Sequence, residues 1–274
     1  SVILQLNPDG ANTYTRLNAA GVDLNRDAMN LTQPESHILH NIYHEIKPDY
    51  CLNLHGQRTL FSAGKMGKTA SLSFLAPSAD PERSVTPSRK KAMQLIVAMK
   101  RELEQELPGQ IGRYDDTFNP NCVGDKFTQL GTPTILFEAG HVPNDYQREI
   151  TRKHLFKCFK TLLNSILSNN FEYSTKEYFE IPENAKDFAD IIISGIAIEA
   201  KGSVHLNQEV AIRYKEQLEG GEVRFIPVME EYGLKLPLNA HKRLVLPKNK
   251  VDKTLLFEKG ETIQNKELNI FCSI

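Results

Sequence analysis

Two hydrophobic rhythms divide this chain. Up to about residue 170, short apolar runs alternate with stretches whose apolar positions recur every three to four residues, as in an α/β layer architecture. Val2 to Leu6 reads as a strand, as do Asp49 to Leu54, Ser71 to Leu75 and the apolar run after Pro133 that ends at Glu138. Pro34 opens a helical pattern through Ile46, and Pro48 closes it. Thr86-Pro87 opens a longer helix to about Leu107, with Leu95, Met99, Leu103 and Leu107 four residues apart on its buried face. A last helix spans about Asp145 to Leu167.

From Phe171 the texture changes to short β-branched or alternating runs, such as Ile191 to Ile193, Val223 to Ile226 and Leu244 to Leu246. Gly220-Gly221, Pro247 to Lys250 and Lys259 to Glu261 read as the turns between them. The expected organisation is an α/β domain over residues 1–170, with a mixed, mostly parallel sheet flanked by helices, and a small β-rich domain over 171–274. Nothing in the second domain suggests chemistry.

Composition narrows the function classes. The chain has 274 residues, 40% of them hydrophobic, and no apolar run approaches membrane-spanning length. With 33 basic and 34 acidic residues, bulk charge offers no basis for nucleic-acid binding. No nucleic-acid or membrane partner is expected. Four scattered cysteines, Cys51, Cys122, Cys158 and Cys272, form no CxxC pair and read as free thiols in a reducing, cytoplasmic setting.

The chemistry concentrates in Asn7 to Arg26. Asn7-Pro8-Asp9-Gly10 has the composition of a tight turn, and Arg16 and Arg26 follow in a segment rich in Asn, Gly and Asp. Arginines on a loop beside a sheet edge suit an anion, because the guanidinium fork matches carboxylates and phosphates in two-point geometry. Any anion satisfies that much. Downstream, His55 closes an apolar strand and is followed by Gly56, while Glu138 follows Ile135-Leu136-Phe137. A carboxylate at a buried strand end is costly unless paired, which invites a functional account.

Three ordered motifs resemble the zinc carboxypeptidase family (carboxypeptidase A-like metallopeptidases), in a bacterial branch. They are Asn7 to Gly10 with Arg16 and Gly21-Val22-Asp23-Leu24-Asn25-Arg26, then Asn53-Leu54-His55-Gly56, then Thr134 to Gly140. The resemblance covers roughly Val2 to Leu167. It implies a carboxypeptidase-like fold and a metallocarboxypeptidase that hydrolyses a peptide or amide bond next to a free carboxylate by zinc-activated water. By the same resemblance His55 is a zinc ligand, and Glu138 is the general base. Arg16 stabilises the carbonyl oxygen as charge develops, and Asn25 with Arg26 clamps the substrate carboxylate. Tyr114 lies in the region of the family's mobile tyrosine, with Asp115 and Asp116 as competing occupants, and Cys122 to Phe127 is the expected pocket-lining stretch. A deacylase of the same architecture, or a non-catalytic carboxylate-binding pseudo-peptidase, is the alternative.

The family's site also needs a His-x-x-Glu pair, and none of the eight histidines has glutamate at the third following position. The expectation is therefore a chain incomplete at its N-terminus, with two zinc ligands upstream and zinc absent or weakly held. Two near misses are set aside. Ser62 to Thr69 approaches a phosphate-binding loop, but serine replaces its first glycine and a strand-like run follows. His40 and His44 have zincin spacing without the glutamate. At about 100° per residue they fall, with His37, opposite Ile38, Ile42 and Ile46 and are expected to be solvated.

Overall fold

The computed structural model describes residues 1–58, 60–246, 254–256, 259 and 261–263. They fall into two units, Ser1–Ala185 and Lys186–Ile274. The first contains α1 (Pro8–Thr13), α2 (Pro34–Ile46), β1 (Cys51–Gly56), β2 (Ser62–Ala63), β3 (Leu72–Leu75) and α3 (Pro87–Leu103). There follow β4 (Ile111–Arg113), α4 (Val123–Gln129), β5 (Thr134–Ala139), α5 (Glu149–Leu167), α6 (Thr175–Phe179) and β6 (Asn184–Ala185).

A four-stranded sheet runs in the order β1-β5-β3-β4. The β1–β5 and β3–β4 pairs are parallel and β3–β5 is antiparallel, so the sheet is mixed and mostly parallel, as expected. Its core lies under α3, where Leu95, Met99 and Leu103 meet Leu72 and Phe74 of β3 and Ile135 and Phe137 of β5. Each such buried side chain contributes about 1.5–3 kcal/mol through the hydrophobic effect. Phe74 and Phe137 pack edge to face with ring centroids 5.3 Å apart. α3 starts where Thr86 caps the Arg89 amide and Pro87 fixes the first φ. It ends at Leu103, short of the expected Leu107, which nonetheless stays buried.

Several sequence expectations need correction. Val2 to Leu6 is not a strand: no described strand pairs with it, and Val2 and Leu4 are 80% and 95% exposed. Asn7 to Gly10 is the start of α1 rather than a free-standing turn, because the Asn7 side chain accepts from Gly10 N–H and Pro8 suits the first helical position. On α2 the isoleucines do not form a buried face: Ile38 and Ile46 are exposed and Ile42 is half-buried. Ser36 is buried, Tyr43 and His40 are half-buried, and His37 and His44 are exposed. Tyr43 supplies the reason, stacking on Phe127 and hydrogen-bonding Thr132 at 2.7 Å, which turns that side of α2 inward. α5 begins at Glu149 because Asp145 caps it, its carboxylate accepting from the Glu149, Ile150 and Thr151 amides.

Residues 171–185, expected with the β-rich part, belong to the first unit. Tyr178 and Ile181 are buried in the α3 core, and the Tyr178 hydroxyl donor–acceptor group receives the Ala76 N–H at 3.1 Å. Cys51, Cys122 and Cys158 are free thiols, and Cys272 lies outside the described residues.

The second unit is a five-stranded sheet of β7 (Phe188–Ala200), β8 (Ser203–Glu219), β9 (Glu222–Gly233), β10 (Asn239–Val245) and β11 (Thr254–Leu256). Both faces of β7 are buried. Ile191, Ile193, Ile196 and Ile198 pack on one side, and Ala189 and Ile192 on the other. Gly220 and Gly221 turn β8 into β9 at positive φ, as the sequence leads one to expect. Of the other expected turns, Pro247 to Lys250 lies outside the described residues, as does Gly260.

Candidate active site

Strand parity places the first two residues. β1 and β5 pair Leu54 with Phe137 and His55 with Glu138. Side chains of register partners on adjacent strands share a face, and successive residues alternate faces. Ile135 and Phe137 belong to the α3 core, so His55 and Glu138 emerge together on the opposite face. Ser73 of β3, the other register partner of Glu138, joins them there.

Both side chains are perturbed by burial. Glu138 is half-buried, and loss of solvent pushes its carboxyl up to about 7 against the opposing charge of Arg16. The His55 imidazole is lowered, first by burial and then by the Arg16 charge, with Asp23 opposing and Arg26 adding. It is therefore neutral near pH 7, the form that ligates metals. Its buried Nε2 has no hydrogen-bond partner. Behind the pair, Gln57 donates to Ala70 O at 3.0 Å and to Ser73 Oγ at 3.2 Å. Asn184 donates to the same Ser73 oxygen at 3.0 Å, fitting where Gly112 has no side chain: a Cβ there would lie 1.9 Å from Asn184 Oδ1.

The Arg16 to Arg26 loop is shaped by its own polar side chains. Asn18 accepts from the Ala20 and Val22 amides, and Gly21 takes φ +75. Asp23 bonds Arg16 Nε at 2.7 Å through one oxygen and the Asn25 amide at 3.0 Å through the other, starting a 3-10 turn over Leu24–Arg26. Asn25 Oδ1 accepts the Val123 amide at 3.1 Å, which ties the loop to α4. The charge of Arg26 acts on His55, Cys122 and Asp125. The five residues singled out from the sequence, Arg16, Asn25, Arg26, His55 and Glu138, are thus gathered in one neighbourhood.

Of the three competitors for the tyrosine position, Tyr114 is the one beside Glu138. Burial and then the Glu138 charge raise its phenol, and its ring lies 5.6 Å from that of Phe61. Asp116 turns away to the buried Arg89 at 2.5 Å, and Asp115 bonds Thr117. Within the expected pocket-lining stretch, Phe127 faces Tyr43 of α2. Two site neighbours lie within stretches marked in the sequence but are not singled out there. Asn53 shares the His55 face and has a buried Nδ2 without a partner, a placement that strand parity two residues before His55 gives. Asp125 is buried on α4, and desolvation pushes its carboxyl up to about 6 while the Asn119 amide opposes at 3.4 Å. Only its position between Val123 and Phe127 hints at burial.

Zinc in a hydrolytic site requires three protein ligands. His55 offers one free nitrogen, and among the described residues no group of three ligand-bearing side chains includes it. The described surroundings do not by themselves fit a catalytic zinc ion. The Ser62 to Thr69 stretch forms a tight turn after β2, with Ser62 bridged to Thr69 and no helix following, so it is no phosphate loop.

No protein-family model matches the chain, and no curated protein sequence matches it. Among solved structures it is similar to a metallo-carboxypeptidase from Burkholderia cenocepacia, at 18% identity and a TM-score of 0.43, over 59% of this chain and 44% of that one. It is also similar to murein-tripeptide amidase MpaA from Escherichia coli O157, at 21% identity and a TM-score of 0.34, over 59% of this chain and 66% of that one. The chain thus spans less than half of the first protein's length and about two thirds of the second's. No described helix is long and apolar enough to cross a membrane.

Proposed function

We propose that this chain belongs to a metallocarboxypeptidase-like hydrolase acting on a peptide or amide bond beside a free carboxylate, and that it carries the substrate-binding and proton-transfer residues. The observation that carries this reading is the His55–Glu138 register pair, a neutral imidazole beside a carboxylate held near 7, with Arg16 acting on both.

In this reading the Arg26 fork and the Asn25 amide hold the substrate's terminal carboxylate. Glu138 takes a proton from the attacking water and returns it to the leaving amine, work suited to a carboxyl titrating near the working pH. Arg16 faces the oxygen on which negative charge develops. His55 is the ligand this chain would contribute to a zinc ion, and two more ligands are required beyond those its described surroundings supply. Zinc is therefore the proposed cofactor, which would polarise the substrate carbonyl and activate water when bound.

The test compares peptides with free and amidated C-termini, using the full-length protein before and after chelation. Release of the terminal residue from the free acid alone, lost on chelation and restored by zinc, is expected. Equal cleavage of both peptides, or activity indifferent to the chelator, overturns the proposal.

A further inference from the structure

The histidines of α2 lie outside the site described above, yet two of them are already arranged as a ligand pair. His40 and His44 stand four residues apart, on one face of the helix in successive turns. Their ring centroids are 4.3 Å apart and tilted by 57°. His40 is half-buried and His44 exposed, so the pair borders solvent with an open side. Two histidines at this spacing on a helix can share one ion, the geometry also used by helical zinc motifs.

The helix under them is held. Tyr43, between the two histidines in sequence, stacks on Phe127 with centroids 4.3 Å apart and hydrogen-bonds Thr132 at 2.7 Å. α2 is therefore held at Tyr43, and the i, i+4 spacing of the two imidazoles is that of neighbours on one helix face. His37 lies seven residues before His44, about 10 Å along the axis at 1.5 Å per residue, beyond reach of an ion held by both His40 and His44.

We infer that His40 and His44 form a two-histidine binding site for a borderline divalent transition metal, separate from His55. Neutral imidazole suits copper, nickel and zinc, and the remaining coordination positions go to water. Affinity follows the usual divalent order, with Cu²⁺ above Ni²⁺ and Zn²⁺. A bound ion cross-links adjacent turns of α2 and raises the stability of the folded chain by mass action.

Calorimetric titration of the chelator-treated chain with Ni²⁺, then Cu²⁺, tests this. Loss of an outer hydrogen-bond partner alone costs a metal site 10–100-fold in affinity, so H40Q and H44Q should each weaken one equivalent by at least about tenfold. H37Q and H55Q should leave that equivalent intact, and far-UV circular dichroism should show the same helix content in every variant. Unchanged affinity in the H40Q/H44Q double variant overturns the inference. So does an equivalent that disappears with H55Q but not with H40Q, which would assign the ion to the candidate active site instead.

Discussion

His55 and Glu138 are register partners on adjacent parallel strands, and both side chains stand on the face of the sheet opposite the α3 core. The backbone ladder, rather than a flexible loop, fixes their separation. Replacing Glu138 with Gln keeps that geometry and removes the proton acceptor. Hydrolysis by the full-length protein is expected to fall by about 10²–10⁴-fold with little change in substrate binding, as measured by kcat and by inhibitor affinity. A variant retaining full kcat would exclude Glu138 as the base.

Arg26 tests the carboxylate clamp. Arg26→Lys preserves the charge but loses the planar two-point fork. The expected effect is a raised KM for substrates with a free carboxylate, with no comparable effect on their amidated counterparts. If the two substrate classes respond alike, Arg26 orders the loop and does not grip the substrate.

Arg89 and Asp116 form the buried ion pair that anchors the segment carrying Tyr114. Arg89 is fully buried and also donates to Ala76 O and Arg83 O. The arginine neighbours hold the Asp116 carboxyl below its ordinary value against the desolvation that would raise it. Asp116→Ala leaves a buried guanidinium without its counter-ion, and a loss of about 3–5 kcal/mol in urea unfolding is expected. Replacing the pair together by Leu and Met should recover much of that loss, since the charge itself is then gone.

Asp125 sets a pH dependence with a definite sign. Its folded pKa, about 6, lies above the ordinary 3.8, so the folded chain holds this proton more tightly than the unfolded chain. The contribution is full below about pH 4 and is lost as pH rises through about 6. Relative to Asp125→Asn, the parent chain should lose on the order of 2–3 kcal/mol between about pH 4 and pH 7. Glu138 drifts in the same direction in both chains, so the difference between them isolates Asp125. Parallel stability profiles would contradict the burial argument.

Much of this arrangement is legible from local chemistry. Pro34 and Thr86-Pro87 mark helix starts because their effects are confined to one turn, and those two helices begin where expected. The apolar run after Pro133 becomes β5, with Glu138 one residue from its end. What depends on distant partners does not read out. Val2 to Leu6 has strand composition, but a strand exists only where a neighbour accepts its hydrogen bonds. The inward side of α2 is chosen by Phe127 and Thr132, more than eighty residues away. Asp125 follows the same logic, its burial being invisible until α4 folds beside the Arg16 to Arg26 loop.

β1 is the last strand on its side of the sheet, and Leu52 and Leu54 on it are 38% and 58% exposed. No described strand covers its outer edge, so a row of backbone donors and acceptors lies open beside an apolar surface. Such an edge is a template for pairing with another chain. At high concentration this chain should therefore self-associate, visible as scattering that rises with concentration. Leu54→Lys, placing a charge on the edge, should suppress it. The strand that positions His55 is thus also a solubility hazard.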